Sequence, residues 1–272
     1  MNRDLEKISH VWKATRLLLG LTQKELANQL GISQGSVSKY ESMQLEPSAS
    51  DWYNFCHFAG IDAHKTLELG YIDGKKRFKH RLYSEASFTL PMRYRGDFSL
   101  KVRELVCFRD AVLAELGGEF WGDFLKKVGV KAEMFFVYDY QISLNFLYDL
   151  IRHCENAGVT LWGLALHHTL REETHGVLGD EYLKRRRAQD LLESLVNNQP
   201  YYQRALDVEI DSWPDLTCTF RPSPEALEIF DERELRPFMD YKVSGLSALL
   251  RAHFPDVAIG PGPAVGSFRL EA

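Results

Sequence analysis

Three groups of residues in this 272-residue sequence have side-chain types and spacings that chemistry needs. Gln34, Gly35, Ser36, Ser38 and Lys39 stand together in "SQGSVSKY". On one face of a helix they offer hydrogen-bonding groups without apolar bulk. A glutamine bonds adenine in two places, a lysine reaches a guanine edge or a phosphate, and a glycine allows close approach. His168, Glu172 and His175 in "HHTLREETH" follow an i, i+4, i+7 spacing, which aligns three metal-ligand types on one helical face. Exposed polar faces produce such sets by chance, so no metal is expected there. Lys184 to Arg187 in "KRRRAQD" suit an anionic ligand such as a nucleotide phosphate, although a solvated helix face has the same composition. There is no Gly-rich phosphate loop, no GxSxG, no HExxH and no nucleophile beside a base. The expectation is therefore a non-enzyme without a cofactor.

The first group must be positioned by the elements around it. Residues 21–42, "LTQKELANQLGISQGSVSKYES", show helical periodicity, a break at "GIS", and helical periodicity again. Thr22 and Glu25 form a capping box, in which the Thr hydroxyl takes an orphan amide and the Glu reaches back to the cap amide. Leu26, Ala27 and Leu30 point inward, Gly31 ends the helix, and Ser33 caps the next, in which Val37 and Tyr40 are the buried residues. A helix from Leu5 to Leu19 precedes the pair. A helix opened by Pro47 and Ser48, with Trp52, Phe55 and Phe58 inward, and a short one from Ala63 to Leu69 follow it. Two capped helices joined by a tight glycine turn among other helices make a helix-turn-helix. Its second helix fits the major groove of DNA and brings its first residues to the base edges.

The stretch "LTQKELANQLGISQGSVSKYESMQLEPS" resembles the Cro/Xre helix-turn-helix family of repressors. The resemblance rests on the LTQ start, the "ELA" of the first helix, the "LGIS" turn, the "S-V-S-K-Y-E" recognition helix and the upstream Arg16, and it covers residues 8–70. It implies a five-helix, all-α domain in which Gln23 contacts a phosphate while Gln34, Gly35, Ser36 and Lys39 face the bases. Ser33 and Ser38 complete the candidate DNA-binding set. The family often has glycine after the glutamate of the recognition helix, where this chain has Ser42, Met43 and Gln44.

Electrostatics limits what this domain does alone. Residues 1–70 carry seven Lys/Arg against eight Asp/Glu, whereas phosphate contacts dominate DNA affinity. Lys75, Lys76 and Arg77 in "GKKRFKHR" supply cations just after the domain, and dimerisation would double the contacts on a palindromic operator. The expected organisation is a helix-turn-helix domain over residues 1–72, a basic connector over 73–99, and a sensor and dimerisation domain over 100–272.

The last region reads as α+β, mostly helical with a small antiparallel sheet. "EMFFVYDYQIS" reads as extended, "DVEIDSWPDLTCTFRPS" as paired strands, and the segments between and after as helices, with a final strand in the tail. Residues 100–256 weakly resemble the arabinose-binding-like effector domain of AraC-type regulators, carried by "FLKKVGVKAEMFFVYDYQISLNFLYDLIRHCENAG", "HGVLGDEYLKRRRAQDLLESLVNNQPYYQRALDVEID" and "SGLSALLRAHFPDV". That resemblance implies a small-molecule site, with Phe135, Phe136, Tyr138, Tyr140, Trp162, Tyr202 and Arg185 as candidate ligand residues. The alternative is a DNA-tethered adaptor whose C-terminal domain binds a protein partner.

Composition agrees with a chain that works inside the cell. The formal charge is −5, the four cysteines are far apart, and neither a secretion-signal core nor a run of about 20 apolar residues is present. A cytoplasmic homodimer without membrane attachment is expected.

Overall fold

Helix caps punctuate the N-terminal part as the spacing predicts. α1 (Arg3–Leu18) ends before Gly20, and α2 (Gln23–Leu30) begins at Thr22. The Thr22 hydroxyl accepts from the Glu25 amide at 3.2 Å, and the Glu25 carboxylate accepts from the Thr22 amide at 2.8 Å. Gly31 closes α2 at φ 68°, where a side chain would be strained, and α3 (Gln34–Glu41) starts three residues after it under the Ser33 cap. α4 (Ala49–Ala59) is capped by Ser48, and α5 (Ala63–Leu69) follows. The structure is a computed structural model that describes residues 3–69, 72, 89–95, 100–169, 185–199, 203–211 and 216–271.

The chain divides into two compact units, one comprising residues 1–91 with 125–140, the other residues 92–124 with 141–272. The first unit is built on Trp12. Its ring stacks on Phe55 at 4.1 Å and meets the edge of Tyr40 at 5.2 Å, so α1, α3 and α4 share one aromatic core. Val11, Leu26, Val37 and Ile61 fill the rest of it. Phe58, expected inward, is 37% exposed. Trp52 and Phe55 supply the buried stripe of α4, and Phe58 falls outside it.

Residues 125–140 belong with these helices, unlike the division drawn from sequence at residue 100. Ala132–Phe136 is a 3-10 turn, not an extended segment. Its backbone closes by i to i+3 bonds, from the Met134 amide to the Lys131 carbonyl and from the Val137 amide to the Met134 carbonyl. Phe136 then stacks flat on His10 at 4.6 Å, Glu133 pairs with Lys13, and the Phe136 carbonyl accepts the Ile72 amide at 2.8 Å. Contacts to α1 override the strand propensity of the aromatic run.

In the second unit, β1 (Leu100–Lys101) pairs antiparallel with β2 (Gln141–Ile142). α6 (Val102–Glu115), α7 (Gly117–Val128, whose last turn lies in the first unit), α8 (Leu144–Asn156) and α9 (Leu161–Thr169) come next. α10 (Ala188–Asn198) leads to a four-stranded antiparallel sheet in the order β3-β4-β6-β5. β3 (Leu206–Asp211) and β4 (Leu216–Pro222) form the expected pair of strands, with Val208 opposite Phe220 and Ile210 opposite Cys218. β5 (Ala258–Pro261) and β6 (Ser267–Glu271) complete the sheet.

The helical run expected between the hairpin and the tail is two helices, α11 (Pro224–Leu227) and α12 (Glu232–His253). Asp231 and Glu234 form a second capping box that starts α12 afresh. α12 packs against both α9 and β4. Arg185 and Arg186 precede α10 and are not helical, because Arg187 takes extended backbone at the N-cap.

Candidate functional site

α3 is held by its inner face. Val37 and Tyr40 are buried, and the Tyr40 hydroxyl donates to Asp51 of α4 at 2.8 Å. Gln34, Gly35, Ser38 and Lys39 are exposed, so the helix presents one continuous polar row to solvent. Ser33 is exposed but occupied, since its hydroxyl accepts the Ser36 amide at 3.0 Å and lies 2.9 Å from the Ser36 hydroxyl. Ser33 and Ser36 therefore shape the start of the helix. Gly35 is not demanded by packing. A Cβ there would meet only the Ser33 hydroxyl oxygen, at 3.7 Å, an ordinary contact. Its missing side chain clears space outside the fold.

Gln23 opens α2, and its side-chain amide donates to Glu41 at 2.9 Å. A carboxamide has two N–H donors, so one is used within the domain and the other is available to a phosphate. The larger role at this point belongs to Arg16 and Glu41. The Arg16 guanidinium makes a two-bond fork with the Glu41 carboxylate, at 2.5 and 2.8 Å, and also donates to the Leu21 carbonyl at 2.8 Å. The cluster locks α1, the α2 start and the α3 end together. Sequence flagged Arg16 as a basic position but did not find its partner 25 residues away.

The exit from α3 answers the Ser42–Gln44 departure. Met43 takes the left-handed conformation at φ 59°, the one non-glycine among the described residues with positive φ. The Gln44 amide bonds the Lys39 carbonyl at 2.9 Å and the Met43 amide bonds the Tyr40 carbonyl at 3.3 Å, which is the Schellman closure that glycine usually serves. Lys75, Lys76 and Arg77 lie outside the described residues.

Residues 13–64 match the helix-turn-helix family model. The match supports a DNA-binding regulator and spans α2, α3 and α4. No curated protein matches the chain. Among solved structures, the chain is similar to the crystal structure of an Fe(II) unliganded H-NOX protein from K. algicida, at 16% identity and TM-score 0.40, covering 63% of this chain and 96% of that one.

The candidate ligand residues do not gather around one cavity. Phe135 and Tyr138 are core residues of the first unit, Phe136 stacks on His10, and Tyr140 is half-buried. Trp162 packs in the second unit with Phe108, Phe238 and Tyr241. Arg185 donates to the Ser194 hydroxyl at 3.4 Å, and Tyr202 lies outside the described residues. Of the metal-spaced set, His168 is buried on α9, while Glu172 and His175 also lie outside them.

The second unit has a cavity of about 730 Å³, its open mouth included, between α6, α10, α12 and the sheet. Its described walls are mostly apolar and include Leu195, Val196, Val208, Phe220, Leu246 and Leu249. Glu104 and Lys242 meet at its surface, with Lys242 Nζ 2.8 and 2.9 Å from the two carboxylate oxygens. Sequence missed this set because it comes from six elements spread over residues 103–249, and its apolar members are of ordinary core type.

No helix among the described residues is long and apolar enough to cross a membrane. All four cysteines are buried free thiols, and burial pushes Cys56, Cys107 and Cys218 up to about 12.

Proposed function

We propose that this protein is a cytoplasmic, sequence-specific transcription regulator that binds a palindromic operator as a homodimer and performs no catalytic step. In this reading, α3 enters the major groove, Gln34 and Lys39 read base edges, and Gly35 lets the backbone approach. Gln23 and the cations Lys75, Lys76 and Arg77 contact phosphates. The C-terminal unit dimerises and senses a small effector, which alters the spacing of two recognition helices matched to half-sites about 34 Å apart. The observation that carries the reading is the exposed row on α3, including a glycine whose missing side chain no internal packing requires. The cavity favours a sensor over an adaptor, because a protein-binding domain has no need of an apolar internal volume.

The test is a footprint on an operator selected from a random-sequence DNA library. Gln34→Ala or Lys39→Ala should each cost about 1–3 kcal/mol on the selected site if the residue reads a base. If Lys39 holds a phosphate instead, its loss should weaken all sequences alike and lower the salt slope by about one. Gly35→Ala should leave the fold intact, since alanine favours helix by about 1 kcal/mol, yet weaken the footprint. Unchanged footprints for Gln34→Ala and Lys39→Ala would remove α3 as the reading helix.

A further inference from the structure

The cavity in the second unit opens to solvent, and the volume that compares with closed protein cavities is about 90 Å³. Close-packed interiors leave few spaces larger than a water molecule. An engineered apolar cavity of about 150 Å³ takes up benzene, so a smaller space with an open mouth suits one small ring. Leu195, Val196, Val208 and Leu246 are half-buried on its walls, and Phe220 and Leu249 are buried beside them. Four apolar side chains from α10, β3 and α12 therefore have surface left to cover, which is what an occupant would gain. Gly245 also lines the space. It sits inside α12, where glycine weakens a helix, yet among the described residues a Cβ there would meet only Thr169 Cγ2 at 3.6 Å and Leu166 Cδ2 at 3.7 Å, both ordinary contacts. Packing does not require the glycine, and its missing side chain leaves room at the wall.

The polar groups on the described walls are committed within the chain. Lys242 Nζ lies 2.8 and 2.9 Å from the two Glu104 carboxylate oxygens, and both Lys242 and Arg103 have further partners. Cys107 Sγ lies 2.9 Å from the Tyr241 hydroxyl, which is 2.8 Å from Thr169 Oγ1, and Thr169 donates in turn to the Ala165 carbonyl at 3.0 Å. Burial keeps the thiol and the phenol protonated at neutral pH, so this chain of groups is uncharged. The Gln199 side-chain amide donates to the Leu206 carbonyl. A charged or hydroxyl-rich ligand would give up its water and find these partners already in use, a cost that an apolar ligand does not meet.

We propose that this cavity binds a small, neutral, apolar molecule of about one aromatic ring, seated among Val196, Val208, Phe220, Leu246 and Leu249. The assignment rests on the sensor reading of the second unit and names the class of its effector. Selection works by exclusion at the polar end. A carboxylate would face Glu104 and compete with it for Lys242, and an ammonium would compete with Lys242 for Glu104. Neither exchange gains a bond overall, and the apolar contact is the same with or without the charge. Charge on the ligand therefore only weakens binding.

The test is calorimetric titration of the full-length protein with toluene, against benzoate and benzylammonium, which keep the ring and add one charge. Toluene should bind about tenfold or more tightly than either. Val196→Phe from α10 and Val208→Phe from β3 each fill the space from a half-buried position. Either variant, once its circular dichroism spectrum shows it folded, should have lost toluene binding. In the unaltered protein with labelled methyl groups, toluene protons should give nuclear Overhauser effects to Val196, Leu246 and Leu249, a readout that needs no variant. Absence of toluene binding up to its solubility limit, a charged analogue that binds as tightly, contacts confined to other methyls, or binding retained in a folded variant each overturns the proposal. Operator affinity with and without toluene is read separately. Toluene binding that leaves operator affinity unchanged supports the cavity assignment and removes only the sensing role.

Discussion

Replacing Glu41 by alanine should loosen the helix-turn-helix more than any change on its outer face. The side chain is 4% exposed and neutralises Arg16, whose own side chain is 10% exposed. Alanine removes both bonds of the fork and the bond from Gln23. Breaking a buried ion pair from one side costs about 3–5 kcal/mol, because the remaining charge is left without compensation. The Leu21 carbonyl still accepts from Arg16, which places the expected loss near the low end, about 3 kcal/mol. Hydrogen exchange of peptides within residues 23–41, followed by mass spectrometry in the full-length protein, reads that loss directly. Where exchange tracks the opening equilibrium, a loss of this size speeds it by roughly 150-fold. The double change Arg16→Met with Glu41→Leu should recover most of the protection, since apolar replacement of a whole buried pair is often neutral. An increase below about fivefold for Glu41→Ala, or a double variant as loose as the single one, refutes the stranded-charge reasoning.

Two further outcomes follow from the same unit. Met43→Gly should stabilise the α3 exit by about 0.5–1 kcal/mol, by relieving a left-handed side chain at some entropic cost, while Met43→Val should destabilise it by about 1 kcal/mol or more. Thermal unfolding of the two variants, compared at one pH, checks the opposite signs. His10 gives a pH dependence. Burial lowers its pKa below the usual 6.5, with Glu6 and Glu133 pulling it up and Lys13 pulling it down. The folded state therefore binds fewer protons than the unfolded one near that pH. The stability from this residue is full above about 6.5, declines as pH falls toward the lower folded value, and is flat below it. His10→Phe should flatten that limb in melts from pH 7.5 to 5.5, and an unchanged slope would show that the His10–Phe136 stack does not titrate.

Local signals made the N-terminal unit legible. Thr22, Glu25, Gly31 and Ser33 are cap residues whose effect spans three or four positions, so sequence alone locates α2, the turn and α3. The outward row on α3 follows from the same register. Alternation alone also located the β3–β4 hairpin. What sequence did not show depends on distant partners. Arg16 meets Glu41 across 25 residues, and Lys242 meets Glu104 across 138. The aromatic run at residues 134–140 reads as a strand or pocket wall, yet Phe136 is spent on His10 and Phe135 on the core. Propensity has no knowledge of the α1 surface that recruits it. The cavity was invisible for a related reason, because its walls are single residues of Leu, Val and Phe types that any core contains.

The return of residues 125–140 to α1 bears on how the protein is made. A ribosome delivers α1 through α5 first, but the residue that stacks on His10 arrives 67 positions after Leu69. At roughly 5–20 residues per second, the nascent helices wait about 3–13 s with that surface of α1 uncovered. The head is thus finished only after synthesis of the second unit has begun. Grafting residues 1–72 onto another C-terminal partner would transplant an incomplete piece, whereas a graft that carries residues 125–140 with it keeps the whole unit.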